Sequence, residues 1–188
     1  MSAIFPKGFV KYIKVCKSEG CNANQRFVNF ATRYKFAGQL EGISVHGYSE
    51  ITQQIYLEAL RVSLAYSALE SLNKVIPNMY IRSIIHPELS VVYKSSKFAK
   101  LRALLEQSTV TKLSNRLTAI SNSAKNADLL PVVEAIRHLT FHGILNASNS
   151  GLGNSAGLSF LQELSFSIFS AMDEKSEEIS DQLLNHKI

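Results

Sequence analysis

Apolar positions recur at helical spacing along most of the chain. In "SEITQQIYLEALRVSLAYSALESLNKVI", residues 49–76, one face is kept apolar by Ile51, Ile55, Ala59, Val62, Ala65, Leu69, Leu72 and Ile76, which predicts a long amphipathic helix. Ser49 offers an N-cap oxygen, and Pro77 disfavours helical backbone in the residue before it, so both ends are marked. "QRFVNFATRYKFAGQL", residues 25–40, repeats the pattern through Phe27, Phe30, Ala31 and Tyr34 before Gly38. Residues 95–122 place Phe98, Leu101, Leu105, Leu113, Leu117 and Ile120 on one or two helices, with a break at 108–111. A further helix is expected over 128–146, with Asp128 as its cap and apolar contacts from Val132, Val133, Ile136, Leu139 and Leu145. Pro131 falls in its first turn, where amides lack intrahelical partners. From Leu158 onward, Leu161, Leu164, Phe166, Ile168 and Phe169 open another long helix that becomes acidic toward its end.

The remaining stretches are shorter. "FVKYIKV" near the start alternates as a short strand does, and "MYIRSIIHPELSVVYKSS", residues 79–96, reads as extended chain or a turn. "NASNSGLGNSAG", residues 146–157, is rich in turn formers. It lacks the Lys-Ser/Thr ending and preceding strand of a phosphate-cradling loop, so it reads as a connector. No internal repeat is visible. The expected architecture is an all-α, mostly antiparallel bundle of four or five helices. It would form one domain over 25–188, preceded by an extension over 1–24 whose structure, apart from the strand-like "FVKYIKV", the pattern does not fix.

Composition narrows the class. A chain of 188 residues, 46% apolar and 19% charged, can bury one ordinary core. Twenty basic against fifteen acidic side chains leave a formal charge of +5, which tilts toward a polyanionic partner without requiring one. There is no basic head followed by an apolar stretch and a cleavage site, and no apolar run near the ~18 residues a bilayer demands. The expectation is a soluble, cytoplasmic protein with no membrane partner. Cys16 and Cys21 are too few for a disulfide framework or a zinc knuckle and are expected as reduced thiols. In such a compartment the sequon at Asn146 carries no weight.

One apolar run contains three polar side chains. "AIRHLTFHGIL", residues 135–145, holds Arg137, His138 and His142. His138 and His142, four apart, sit about 40° from each other on one helical face, a spacing that can clamp a metal. A metal site needs further ligands, and His46, His86 and His186 lack ligand spacing, so no metal and no other cofactor is expected. A second reading is structural: Arg137 reaches an acidic neighbour at the surface while the histidines line a bundle face. A third is catalytic.

The catalytic reading rests on a resemblance. "RHLTFH" has an arginine, a polar residue directly after it, three more residues and a histidine, late in an α-helical chain. This resembles the Arg-x4-His signature of HEPN-domain ribonucleases. "LAYSALESL" in the preceding long helix is similar to the HEPN helix that carries a glutamate, here Glu70, as a supporting residue. The resemblance implies metal-independent endoribonuclease activity, in which a ribose 2′-oxygen attacks the adjacent phosphorus and leaves a 2′,3′-cyclic phosphate. It also implies a homodimer with a composite site, an RNA substrate, a role in prokaryotic defence, toxin–antitoxin or stress response, and restraint by an antitoxin or regulatory protein.

The residue types suit that chemistry. An imidazole, whose ordinary pKa is about 6.5, exchanges protons near neutral pH, so His142 fits a general base or acid. Arg137 presents a permanently charged fork of donors to a phosphate, and His138 would orient His142, touch the phosphate or bind a base. Arg137 and His142, five apart, diverge by about 140° on an ideal helix, which a two-fold dimer relieves by pairing copies. Gly143 within the helix would allow close backbone approach. Toxins modified by a nucleotidyltransferase antitoxin carry a tyrosine two residues past the histidine. Ile144 stands there, so that regulation is not expected. The alternative function is a non-catalytic, HEPN-like nucleotide-binding or scaffold module.

Overall fold

Helical periodicity is realised throughout a computed structural model that describes residues 4–44, 46–123, 127–147 and 149–185. The described residues form eight α-helices and no strand: α1 (Phe9–Ser18), α2 (Gln25–Gly38), α3 (Glu50–Leu72), α4 (Pro87–Lys94), α5 (Ala99–Ser108), α6 (Thr111–Asn122), α7 (Leu130–Phe141) and α8 (Ser155–Asn185), with a 3₁₀ turn at Ser96–Phe98. The all-α class stands, but the four or five helices expected are too few. Two of the additional ones occupy stretches read above as strand or as extended chain and turn. In "FVKYIKV" the apparent alternation is overridden because Phe9, Tyr12 and Cys16, spaced three and four apart, form one buried helical face. In α4, Pro87 starts the helix and the His86 side chain caps it by accepting from Leu89 N–H at 3.2 Å.

Other boundaries shift for local reasons. The helix α3 begins where Ser49 Oγ accepts from Thr52 N–H, but it ends at Leu72 rather than at Pro77. There Lys74 and Val75 N–H turn back to Ser71 and Leu72 carbonyls, and the Asn73 side chain accepts from Ile81 N–H at 2.8 Å. The break between α5 and α6 falls within 108–111 as expected.

The chain divides into two compact units, neither contiguous in sequence. One comprises Met1–Leu40, Leu64–Arg82 and Ile168–Ile188. Its core is a run of aromatic contacts: Phe9 and Tyr12 meet Phe27 edge-on at 5.4 and 5.3 Å, Phe30 meets Tyr34, and Tyr34 meets Phe169 at 5.0 Å. Around it, Ser176 and Ser180 hydroxyls donate to the carbonyls of Lys7 and Gly8, and Asp173 accepts from both Lys7 N–H and Tyr34 OH. Gly8 is held at φ +78°, and a Cβ there would stand 2.8 Å from that of Ser180, so no other residue fits without displacement.

The other unit comprises Glu41–Ser63 and Ser83–Ser167. Within it α5, α6 and α7 pack together over Leu101, Leu105, Leu113, Leu117, Val132 and Ile136. Arg102 donates to the carbonyls of Tyr93 and Ser95, and Arg116 pairs with Glu134 at 2.7 Å, joining α6 to α7. Asp128 sits just ahead of α7 and accepts from Leu130 and Ile84 N–H, both at 2.9 Å, while Leu129 N–H returns to the Ile84 carbonyl. Among the described residues no helix is long and apolar enough to cross a membrane.

Burial foremost, then the hydrogen bond to Asp173 and its charge, push the Tyr34 hydroxyl far above the usual phenol range. A raised folded pKa contributes stability that is present below the unfolded value of about 10 and is lost as pH rises beyond it. Thermal melting temperature should therefore fall steeply above about pH 10, and Tyr34→Phe should flatten that fall while lowering stability at neutral pH by about 1 kcal/mol. Tyr93, raised likewise by burial, keeps a residual slope in the variant. Parallel melting curves for the two proteins from pH 8 to 11 would contradict the assignment.

Candidate functional site

Burial of one helix positions the three polar residues singled out in the sequence. Six of the twelve residues of α7 are buried: Pro131, Val132, Val133, Ala135, Ile136 and Leu139. This fixes the rotation of the helix and leaves Arg137 and His138 half-buried, with Phe141 and His142 exposed. The helix is shorter than the 128–146 expected. It ends at Phe141, His142 is the C-cap, and Gly143 adopts φ +67°. His142 N–H bonds the His138 carbonyl at 3.1 Å, Gly143 N–H that of Thr140 at 3.2 Å, and Ile144 N–H that of Leu139 at 2.9 Å, which satisfies the carbonyls of the last turn. Gly143 is thus a terminator, not an interior residue, because its missing Cβ permits the left-handed backbone.

Two side-chain pairs stand at this end, each four residues apart. The rings of His138 and His142 lie 4.4 Å apart between centroids. The Arg137 guanidinium carbon lies 5.5 Å from the Phe141 ring centroid. Arg137 Nε is sealed from solvent and has no hydrogen-bond partner among the described residues. The acidic partner considered for Arg137 is not formed among those residues, since Glu134, one turn earlier, is engaged by Arg116. The structure therefore joins His138 to His142 and Arg137 to Phe141 within one chain.

The other residues considered fall elsewhere. Glu70 is half-buried on the part of α3 that belongs to the first unit, whereas Arg137, His138 and His142 belong to the second. His46 is exposed, His86 caps α4, and His186 lies outside the described residues. Among the described residues no three His, Cys, Asp or Glu side chains gather as a metal site would require, and the two cysteines are thiols. Glu58, which its sequence pattern does not single out, is 5% exposed, pairs with Arg61 and leaves Oε2 without a hydrogen-bond partner among the described residues. Its i,i+3 charge pairing is visible in the sequence, but such pairs usually lie on solvated faces, so only packing distinguishes this one.

The histidine pair depends on where α7 stops. Gly143→Ala meets no steric obstacle, since nothing lies within 4 Å of the added Cβ, yet it forces an L side chain into left-handed backbone. The expected loss is about 1 kcal/mol, or a melting temperature lower by about 2–4 °C, with Gly143→Asn intermediate. An unchanged melting temperature for the alanine variant would show that the cap contributes nothing.

No family model, curated protein or solved structure matches this chain.

Proposed function

We propose that the protein is a metal-independent endoribonuclease of HEPN type, acting as a homodimer with the α7 ends of two copies around one RNA strand. The observation that carries the reading is the gathering of Arg137, His138 and His142 at one helix end, with the His142 imidazole exposed beside His138. Phe141 and Ile144, 54% and 43% exposed, flank His142 with apolar surface of the kind a two-fold contact covers.

In this reading one His142 removes the proton from a ribose 2′-OH as the 2′-oxygen forms its bond to phosphorus. The P–O5′ bond breaks, and the His142 of the second copy gives its proton to the departing 5′-oxygen. The products are a 2′,3′-cyclic phosphate and a 5′-hydroxyl, with no net redox change and no water consumed. Arg137 neutralises charge that grows on the non-bridging oxygens, and His138 holds the His142 ring from 4.4 Å. The site would serve defence, toxin–antitoxin or stress functions under a restraining partner.

A second reading, a non-catalytic nucleotide-binding or scaffold module, is favoured by the packing of the Arg137 guanidinium on Phe141, a geometry that also suits a structural arginine. One experiment separates the two. His142→Ala should lower the cleavage rate of single-stranded RNA by about 10²–10⁴-fold, and Arg137→Ala by about 10²–10³-fold. Both should retain the wild-type melting temperature within about 2 °C. Chelators should leave the wild-type rate unchanged. Wild-type protein that is dimeric and folded yet yields no cyclic-phosphate ends from total RNA would leave the scaffold reading in its place.

A further inference from the structure

The first unit contains a concentration of positive charge of its own. A cavity of about 420 Å³ is lined by Arg26, Asn29 and Arg33 of α2 and by Ser71, Asn73, Lys74 and Pro77 at the end of α3 and the turn after it. On α2 the three contributors are spaced i, i+3 and i+7, which sets them in one stripe beside the buried face of Phe27, Phe30 and Tyr34. Arg26, Arg33 and Lys74 are all exposed, and among the described residues none of them has a carboxylate within ion-pair distance.

Both guanidiniums are already oriented. Arg26 Nη1 donates to the Lys74 carbonyl at 3.0 Å and Arg33 Nη1 reaches the Ser67 carbonyl at 3.5 Å. Bonding main-chain carbonyls of α3 and of the turn after it is a sufficient structural reason for an arginine. It occupies one of five N–H donors on each, however, and it does not account for Lys74, whose ammonium adds a third positive charge to the same recess. Three cations with two amides and a hydroxyl, and no acid in the lining, form an acceptor-seeking surface.

The lining also indicates the ligand. Small-molecule pockets are mostly apolar and aromatic, whereas this one holds no aromatic residue to stack on a base and only Pro77 as apolar wall. Arg, Lys, Asn and Ser are the side chains that contact phosphate and sugar oxygens without reading sequence. Arg26 and Arg33 stand about 10 Å apart along the axis of α2, which spreads the charge over more than one phosphate. A flexible single strand can bend its backbone into a recess of this volume, which a stiff duplex cannot do. We infer that the groove binds the phosphodiester backbone of a single-stranded nucleic acid through Arg26, Arg33 and Lys74. The site stands on residues of the first unit alone and does not require that α7 cleave RNA.

The test measures binding of the full-length protein to labelled oligodeoxythymidylate of about 12 nucleotides, a length within the range that single-strand grooves cover. This strand lacks a 2′-OH and cannot be cut by the route above, so a failure of cleavage cannot mimic a failure of binding. Releasing one counterion per phosphate contact gives a salt slope of about −0.7 in log K against log salt for single strands. Lys74→Gln should therefore reduce the slope by about 0.7, and the Arg26→Gln/Arg33→Gln/Lys74→Gln triple variant by about 2. Arg33→Lys, which keeps the charge, should retain the slope. Lys74→Gln keeps the bond from Arg26 to the main-chain carbonyl, so it reports on the groove even if the triple variant melts early.

Two results would overturn the assignment. One is a loss just as large in a control that removes three charges elsewhere, at Lys14, Lys17 and Lys112, which would make binding a matter of net charge. The other is ATP binding as tightly as the strand and displacing it fully, which would make the occupant a nucleotide.

Discussion

Burial of α7 is the constraint on which the candidate chemistry depends. Val132, Val133, Ala135, Ile136 and Leu139 are wholly excluded from solvent, so the helix can take only one rotation within its unit. That rotation decides which of its polar side chains meet water. Fully burying an aliphatic side chain contributes about 1.5–3 kcal/mol, so turning α7 to expose even two of these residues would outweigh any single contact of Arg137 or His138. The polar end of the helix is therefore held by its apolar body. The left-handed Gly143 then ends the helix at Phe141, with His142 as its cap, where a continuing helix would have carried the chain onward past the pair.

The two units solve the problem of a stable core differently. The first relies on edge-to-face aromatics and on serine and tyrosine hydroxyls that satisfy main-chain and Asp173 oxygens at Lys7 and Gly8. The second combines aliphatic packing among α5, α6 and α7 with contacts of the Phe160 ring to Phe98 and Tyr93, and Asp128 and Arg102 bind the main chain where it turns between helices. Among the described residues, Arg137 at the end of α7 and Arg26, Arg33 and Lys74 around the groove have no carboxylate within ion-pair distance.

Much of this is legible in the sequence. The apolar stripes of α2 and α3 and the break between α5 and α6 follow from spacing alone, because a helix in contact with a core must repeat its apolar residues near every third and fourth position. The i,i+4 histidine pair was legible for the same reason. Less legible were α1, whose seven-residue alternation fits strand and helix about equally well until Phe9, Tyr12 and Cys16 find a common partner surface, and α4, too short to show a period. The end of α7 was misplaced because Leu145 continues the apolar spacing, although it is buried from beyond the helix.

Sequence alone determined the all-helical class, the faces the longer helices bury, and the set of side chains able to exchange protons or hold a phosphate. These follow from local periodicity and residue chemistry, which do not depend on what lies opposite. Only the tertiary structure decided that Arg137 rests on Phe141, that Glu58 is the glutamate drawn into a core, and that Arg26 and Arg33 meet Lys74 around one cavity. Each joins residues through burial and charge supplied by neighbouring elements, and a linear pattern records which side chains exist but not which surface closes over them.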